Sequence, residues 1–586
     1  MENSYNSIRN FILPLKNKFQ LAISSFSKKE RLVFLFFLFT LTLSAIVLLE
    51  SVNKSFMVNV PIQGGTLSEG IVGSPRFVNP ILAYSPADND LVSIIYSGLM
   101  RKNSDETLIP DLAEKYDMSK DGLVYTFTLK DKIFFHDGSP VTASDVIFTL
   151  NKVKDPIVKS PKKVNWDGVS VEKLDEKTIR FTLKQPYASF LENTTIGILP
   201  EKLWTKGTNT PIEINDLNTN PIGSGPYQLK KVGKESSGLI DSYSLTAFNK
   251  FVLGKPYIKN INFNFYPNED SLISALQSGN IEQASSIAPQ NAEILKKENY
   301  TIESSVLPRV FGLFFNQNQN QLFINKNIIK AMDLAIDKDK IINEVLSGYG
   351  VVINNPIPPN IIAYQKLGKE ENLGRTENLA QAKEILLKDD WKVGADGFLE
   401  KTTTVKKKTT TEKLIFSIST GNSPELAKTA DLIRSDLTAI GMKVDVKTFE
   451  IGNLNQSVIR PRKYDALLFG QIVNHESDLF AFWHSTQRND PGLNIAMYTN
   501  AKVDKILEDA SILTDEPSRI KKYAQFEDEI QKDMPAIFLY SPNFIYVISK
   551  DLKGISIGHI TSPSDRFLNI YSWYLKTDNI WKVFAN

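Results

Sequence analysis

The stretch FFHDGSPVTASDV, residues 134–146, puts a histidine beside an aspartate with two serines nearby, as a hydrolytic site would. Its spacing favours a backbone role instead. Asp137-Gly138 follows an aromatic, strand-like run and is a strong turn signal, because glycine accepts positive φ angles without steric cost. Thr142 stands three residues before Asp145, which is the spacing of a capping box at the start of a helix. The stretch therefore predicts a strand, a turn and a helix rather than a catalytic site.

Strand and helix patterns alternate on both sides of this stretch. LVYTFTLK (123–130) and TIRFTLK (178–184) alternate apolar and polar residues, as half-buried antiparallel strands do. SPELAKTADLIRSDLTAIG (423–441) has apolar residues at steps of three and four, with helix start and stop signals at its ends. MKVDVK (442–447) then alternates as a strand. A helix that leads into a strand indicates an α/β fold.

Composition limits the kinds of protein that this chain can be. Its 586 residues exceed what one core usually organises, so two or more domains or lobes are expected. The formal net charge of +2 gives no reason to expect nucleic-acid binding. The absence of cysteine excludes disulfides, a cysteine nucleophile and lipid attachment through an N-terminal cysteine. The four histidines lack the spacing of metal ligands, so neither a metal centre nor another cofactor is expected.

An uncharged apolar run, LVFLFFLFTLTLSAIVLL, occupies residues 32–49. As a helix it would span about 27 Å, close to the roughly 30 Å hydrocarbon core of a bilayer. Basic residues just before the run predict a cytoplasmic segment over 1–31 and an extracytoplasmic domain beyond the membrane. Residues 50–61 are expected to form a polar linker. A cleaved signal peptide is the alternative, against which stand the long preceding segment and the lack of a small-residue cleavage site.

No motif of a known catalytic centre stands out in the sequence. Phosphate-binding loops, nucleophile elbows, zinc-protease motifs and calcium loops are all missing. GSGPY (223–227) is rich in glycine, but Pro226 stands where a phosphate-binding helix would begin, so a tight turn or crossing segment is expected. Acidic pairs such as Asp88 and Asp90 are expected to be solvated, since a chain with 66 carboxylates contains such pairs by chance. The sequence therefore does not indicate an enzyme.

Several longer segments occur in an order that is typical of one protein family. The first is LIPDLAEKYDMSKDGLVYTFTLKDKIFFHDGSPVTASDVIFTL (108–150), and NPIGSGPYQL (220–229) follows it. KYDALLFGQ (463–471) and FWHSTQRNDPGLNIAMYTNAKVDKIL (482–507) come later. Over about residues 64–575 the chain resembles the extracellular solute-binding proteins of family 5, which are the peptide- and nickel-binding components of ABC importers.

The resemblance implies a two-lobed α/β fold of the periplasmic-binding-protein type (type II, cluster C), with an extra subdomain in lobe one and one transmembrane helix before it. Lobe one would comprise residues 62–308 and 541–586, and lobe two residues 309–540. Ligand would bind in the cleft between the lobes and shift an equilibrium between open and closed forms. The permease subunits of an importer would recognise the closed form, and the protein would be a monomer.

The resemblance also implies which residues bind the ligand. They are expected to be Tyr84, Ser85, Pro86, Gly470, Gln471, Ile472, Asn474 and Tyr540. Peptide-binding relatives usually carry an aspartate at the position of Asn474, where it pairs with the α-amino group of the peptide. Asn474 is neutral, and the sequence leaves open whether Glu476 or Asp478 supplies the charge instead.

Three hypotheses for function remain open at this point. The first is a membrane-tethered, extracytoplasmic receptor that delivers peptides to the permease of an ABC importer. The second keeps the fold but binds an oligosaccharide, a cell-wall fragment or a metal chelate, for which His475 beside the predicted site is one argument. The third is an enzyme or a cell-surface interaction module that reuses the fold without transport. The resemblance favours the first.

Overall fold

The computed structural model describes residues 24–103, 107–187, 189–206, 211–359, 374–405 and 408–585. Its helices are α1 (Lys28–Phe56), α2 (Pro86–Ile95), α3 (Ala143–Lys154), α4 (Phe190–Asn193), α5 (Glu201–Thr205), α6 (Glu269–Gln277), α7 (Pro289–Lys297), α8 (Lys326–Ala335), α9 (Lys338–Val345), α10 (Arg375–Lys388), α11 (Pro424–Ala439), α12 (Ile451–Asn453), α13 (Asp478–Trp483), α14 (Ala501–Ile512) and α15 (Glu516–Asp533).

The strands are β1 (Met57–Ile62), β2 (Thr66–Val72), β3 (Met100–Lys102), β4 (Leu108–Pro110), β5 (Ala113–Met118), β6 (Val124–Leu129), β7 (Val169–Lys173), β8 (Thr178–Leu183), β9 (Tyr227–Lys234), β10 (Ile240–Ala247), β11 (Asn260–Tyr266), β12 (Gln283–Ser285), β13 (Thr301–Val306), β14 (Arg309–Phe315), β15 (Gly350–Val352), β16 (Lys392–Val393), β17 (Leu399–Val405), β18 (Lys408–Lys413), β19 (Ile415–Gly421), β20 (Lys443–Phe449), β21 (Ala466–Ile472), β22 (Ala536–Ile548) and β23 (Lys576–Trp581).

The chain forms two compact units, and the smaller one combines Met1–Ile62 with Lys576–Asn586. Within it, α1 contains the apolar run and is long and apolar enough to cross a membrane. In residues 50–61, where the sequence predicts a polar linker, α1 continues to Phe56 and β1 then pairs antiparallel with β23. An ion pair of 2.8 Å between Lys54 and Glu50, four residues apart, supports this extension of the helix. Residues 1–23 of the predicted cytoplasmic segment lie outside the described residues.

The larger unit, Gln63–Leu575, contains a sheet that changes partners along one strand. The first part of β22 pairs with β14, whereas its last part pairs with β12 and β13. Buried apolar residues fall into separate clusters on either side of 541–543, with those of 310–540 on one side. The chain therefore crosses between two packed regions within β22 and between β13 and β14.

Predicted local elements around this sheet are confirmed. β6 and β8 pair antiparallel, and alternate residues of each strand are buried. Ser423 Oγ accepts a hydrogen bond from Leu426 N at the start of α11, and the chain continues into β20. β17 and β18, which contain the lysines and threonines of 401–404 and 408–413, pair antiparallel. These elements follow local patterns of capping and alternation, which is why the sequence predicts them well.

The stretch 134–146 forms the predicted turn and helix start. Gly138 has a φ of +87°, and Phe135 N donates to Ser139 O across the turn at 2.8 Å. The Asp145 carboxylate accepts a hydrogen bond of 2.8 Å from Thr142 N, directly before α3. The polar residues of the stretch thus stabilise backbone, as the sequence predicts.

His136 connects this turn to the GSGPY segment. Its Nδ1 accepts from Gly223 N at 3.3 Å, and its Nε2 lies 3.1 Å from Gly225 O. Burial lowers the pKa of His136 from 6.5 to about 4. A Cβ on Gly223 would stand 2.0 Å from Ile95 O at the end of α2, so the segment needs glycine to pass there. GSGPY is therefore the crossing segment that the sequence predicts.

The expectation that Asp88 and Asp90 are solvated is wrong. Asp88 accepts hydrogen bonds from the backbone N–H groups of Arg76 and Phe77 at 2.7 and 2.8 Å. Asp90 forms a bidentate ion pair with the fully buried Arg566, whose guanidinium also contacts Glu69 at 2.6 Å. Long-range packing, which a charge count does not register, explains why both carboxylates are buried.

Candidate ligand-binding site

A cavity of about 410 Å³ lies beside α2 in the larger unit. Its walls come from residues 80–251 and 561–571, including Asn89 and Val92 of α2. Among the described lining residues, His475 alone comes from the region between β14 and β22. The cavity therefore lies where the two packed regions meet.

A buried carboxylate forms part of the cavity wall. Asp111 is almost completely buried, and its Oδ1 has no hydrogen-bond partner in the described part of the chain. Burial raises the pKa of Asp111 to about 6, although the nearby Arg101 acts in the opposite direction. The Arg101 guanidinium instead donates to Asn569 Oδ1 at 2.9 Å and lies over the ring of Tyr571. Asp111 thus presents an acceptor that a hydrogen-bond donor on a ligand would satisfy.

The loop after β21 closes one side of the cavity. Asp478 Oδ2 accepts from the backbone N–H groups of Asn474 and His475 at 2.9 and 3.0 Å, which fixes the loop. Nδ1 of His475 contacts the Glu192 carboxylate on α4. Nearby, Ser189 Oγ donates to Ser477 Oγ at 3.4 Å. Side chains from both packed regions thus meet at this edge of the cavity.

The sequence leaves Glu476 and Asp478 as candidates for the negative charge that Asn474 lacks. In the structure, both carboxylates already bind other groups of the protein. Glu476 forms an ion pair of 2.6 Å with Arg519, and Asp478 holds the loop. The carboxylates of Asp111 and Glu192 line the cavity instead. Sequence reasoning missed these two, because neither carries a local signal and their position depends on tertiary packing.

The first predicted binding segment lies at the start of α2. Tyr84 is 84% exposed, and Ser85 caps the helix by accepting from Asp88 N at 3.1 Å. Pro86 occupies the first turn, where its missing N–H is tolerated. The cavity is lined by later residues of the same helix, Asn89 among them.

The second predicted segment lies on β21. Phe311 of β14 is the strand partner of Gly470 on one side and of Tyr540 of β22 on the other. The rings of Phe311 and Tyr540 stack, with their centroids 4.9 Å apart. Gln471 is buried, whereas Ile472 is exposed. The buried Oδ1 of Asn474 has no hydrogen-bond partner among the described residues.

The structure thus brings Gly470 and Tyr540 together around Phe311. The described lining of the cavity contains none of the eight predicted residues. Their role as ligand contacts stays a prediction.

Comparisons with known proteins place this geometry in a family. The chain is 28% identical to the oligopeptide-binding protein AppA of Bacillus subtilis (strain 168), over 88% of this chain and 92% of that relative. The structure of AppA from Bacillus subtilis in complex with a nonapeptide matches with a TM-score of 0.65 and 27% identity, covering 88% of this chain and all of that one.

A second solved structure, NikZ from Campylobacter jejuni in complex with Ni(L-His), matches with a TM-score of 0.66 and 28% identity, covering 87% and 99% of the two chains. These neighbours confirm the predicted two-lobed α/β fold. The model of bacterial extracellular solute-binding proteins, family 5, matches residues 107–491, about two thirds of the chain. The chain therefore belongs to the bacterial extracellular solute-binding proteins of family 5.

Proposed function

We propose that the protein is a membrane-tethered, extracytoplasmic substrate-binding protein of an ABC importer, and that it binds peptides between two lobes. Lobe one would comprise residues 62–308 and 541–586, and lobe two residues 309–540, as the sequence predicts. The observation that carries the proposal is the cavity whose wall combines the buried Asp111 with His475 from the other side of β22. Its volume of about 410 Å³ is that of an ordinary small-ligand pocket.

The carboxylates in the cavity suggest how a peptide would be oriented. A peptide with a free amino terminus carries a cationic donor group, and Asp111 offers an acceptor without a partner among the described residues. A charge-assisted hydrogen bond of this kind is worth about 1.5–3 kcal/mol. Asp111 would then pair with the amino terminus from lobe one, as the aspartate of peptide-binding relatives does from the other lobe.

Calorimetric titration with short peptides tests this orientation. The Asp111→Asn variant should bind peptides with a free amino terminus about tenfold to a hundredfold more weakly, because it loses the charged acceptor. N-acetylated peptides should bind both proteins equally. Asp131→Asn, which removes an exposed carboxylate, is the matched control and should change nothing. If no peptide binds the unmodified protein, the proposed function is wrong.

We also propose that the lobes close on the ligand. The strand β22 and the connection between β13 and β14 are the two crossings about which such a movement would occur. The contacts of Glu192 with His475 and of Ser189 with Ser477 would form on closure. The closed form would then be what the permease subunits bind.

The tether is the third part of the proposal. Support comes from α1, which has the length and composition of a membrane span and no buried residue. The full chain should stay in the membrane pellet after an alkaline wash, and deletion of residues 1–55 should release the protein. N-terminal sequencing of the mature protein distinguishes a retained anchor from a cleaved signal peptide. A truncated protein that still resists the wash would contradict the tether.

A metal chelate is the second candidate ligand. It is favoured by His475 in the cavity wall and by the likeness to NikZ with its bound Ni(L-His). Titration with nickel and histidine should then show binding that His475→Ala abolishes and Asp111→Asn leaves intact. The peptide proposal predicts no such binding.

A further inference from the structure

Exposed apolar side chains occur at the end of α1 and at the end of β23, whose last residue, Trp581, pairs with Met57 directly after α1. They are Phe56, Trp581, Val583 and Phe584, which are exposed by 58%, 51%, 71% and 73%. All four residues belong to the smaller unit. Large apolar side chains grouped in this way at the surface indicate contact with another apolar phase rather than with water. We call these four residues the aromatic patch.

Two contacts fix the height of the aromatic patch along α1. Trp581 Nε1 donates a hydrogen bond of 2.8 Å to Asn53 Oδ1, within the last turn of the helix. Trp581 is also the strand partner of Met57, the first residue after the helix. Asn53 lies four residues beyond Leu49, where the apolar run ends, and four residues correspond to about 6 Å along a helix. The patch is therefore just beyond the end of the apolar run.

We infer that the aromatic patch lies in the headgroup region of the membrane that α1 crosses. The inference rests on the proposed tether and specifies how the chain leaves the bilayer. Tryptophan is enriched at this depth because its indole has an apolar body and a polar N–H group. Lys582, between Trp581 and Val583, offers positive charge to lipid phosphates.

The pairing of β1 with β23 gives this arrangement its mechanical consequence. Six residue pairs, from Met57–Trp581 to Ile62–Lys576, hold the segment after the helix against β23, which ends at Trp581 of the patch. The tether is thus a paired ribbon with a second membrane contact, rather than a single flexible strand. Because Trp581 contacts both Asn53 of α1 and Met57 directly after it, α1 cannot tilt freely relative to the paired strands.

Single-cysteine labelling tests the inference, because the natural chain has no cysteine. The full chain carrying Val583→Cys is labelled with an environment-sensitive fluorophore and reconstituted in vesicles that contain nitroxide lipids. Leu43→Cys, in the apolar run, reports on the tether, and Ser236→Cys, in the exposed β9–β10 loop, is the reference for water exposure. We expect the label at position 583 to be quenched most by nitroxide near the headgroups, and the label at 43 by nitroxide deep in the acyl chains.

Each other result has a defined meaning. A label at 583 that is quenched no more than the label at 236, while the label at 43 is quenched, overturns the inference and leaves the tether standing. Absence of quenching at 43 overturns the tether and the inference together. Efficient disulfide formation between two Val583→Cys chains without lipid quenching would assign the patch to a second copy and also overturn the inference.

Discussion

Arg566 forms a buried charge cluster with Glu69 and Asp90 in the larger unit. Its guanidinium lies 2.6 Å from Glu69 and 2.7 Å from Asp90, and the cluster joins β2 and α2 to the segment after β22. The hydroxyl of Tyr546 completes the cluster by donating to Glu69 Oε2 at 2.9 Å. Because all three charged side chains are buried, each depends on the others for compensation.

Removal of Arg566 should therefore destabilise the protein strongly. We expect Arg566→Leu to lower the free energy of unfolding by about 3–5 kcal/mol, since it leaves two buried carboxylates uncompensated. Denaturant unfolding in detergent, followed by tryptophan fluorescence, measures this. Arg180→Leu, which breaks an exposed ion pair with Glu172, is the control and should cost less than about 1 kcal/mol. Equal effects of the two substitutions would contradict the buried cluster.

His136 should make stability depend on pH. Its folded-state pKa is about 4, below the value of 6.5 in the unfolded chain, so the unfolded chain binds the proton first. Stability is fully present above pH 6.5, falls as the pH decreases towards 4, and loses at most about 3 kcal/mol from this residue. Asp111, with its raised pKa, acts in the opposite direction over part of this range.

Comparison with a variant isolates the contribution of His136. The difference in unfolding free energy between the unmodified protein and His136→Gln should shrink as the pH falls from 6.5 to 4, because the variant cannot be protonated there. Denaturant titrations at several pH values measure this difference. A difference that is constant over this interval would show that His136 titrates normally in the folded protein.

The sequence predicts the contacts of some residues and not those of others. The contact between Thr142 and Asp145 spans three positions, and local spacing is sufficient to predict it. The partner of Asp90 is Arg566, 476 positions away, so no local pattern identifies it. Local patterns also fail to identify Asp111 and Glu192, because these residues come to line the cavity only through tertiary packing.

At the scale of elements, the GSGPY segment shows how a backbone crossing depends on glycine. The segment passes the last carbonyl groups of α2, where a Cβ at Gly225 would stand 2.4 Å from Ile94 O. Gly225 N also donates a hydrogen bond of 2.8 Å to Ile95 O, which holds the two backbones at this distance. His136 then fixes the outer side of the segment.

A methyl group at Gly223 should push the GSGPY segment away from the end of α2. We expect Gly223→Ala to lower the free energy of unfolding by about 1–3 kcal/mol or more, because the added Cβ meets backbone rather than a flexible side chain. Thermal unfolding of the two proteins measures the effect. Gly452→Ala is the control, since its Cβ would meet only the Glu450 carboxylate, and it should be tolerated. A stable Gly223→Ala variant would contradict the close approach.

Elements with periodic patterns are predicted well, and the segment after the membrane run is not. β6, β8 and α11 follow alternation or helical spacing that the sequence contains in full. β1 is stabilised by pairing with β23, more than 500 positions later, and no local pattern in 50–61 identifies that partner. Long-range pairing therefore decides the structure of this segment.

At the scale of the whole molecule, the family resemblance predicts the two-lobed fold, and strand pairing shows how the lobes would be joined. β22 leaves one packed region near Tyr540 and enters the other near Phe544. Leu307 N donates to Pro542 O at 2.9 Å, so the second crossing lies directly beside the first. In the proposed closure, these two adjacent crossings would act as the hinge, because movement there needs few backbone changes.

The contact across the cavity edge offers a direct test of closure. Ser189 Oγ and Ser477 Oγ are 3.4 Å apart and belong to opposite lobes of the proposed division. Small side-chain rotations in a double variant, Ser189→Cys with Ser477→Cys, would bring two sulfurs within bonding distance. A disulfide there would hold the lobes in the arrangement seen in this structure.

Oxidation of this double variant should control access to the cavity. We expect the oxidised, empty protein not to bind a fluorescent peptide, and protein oxidised with peptide bound to release it at least about tenfold more slowly. A reducing agent should restore binding, and Ser189→Cys alone, which cannot form the bond, should behave as the unmodified protein. Peptide exchange that is equally fast before and after oxidation would show that ligand does not enter through movement of the lobes at this edge. The cleft would then be static, and the hinge at β22 would have another role.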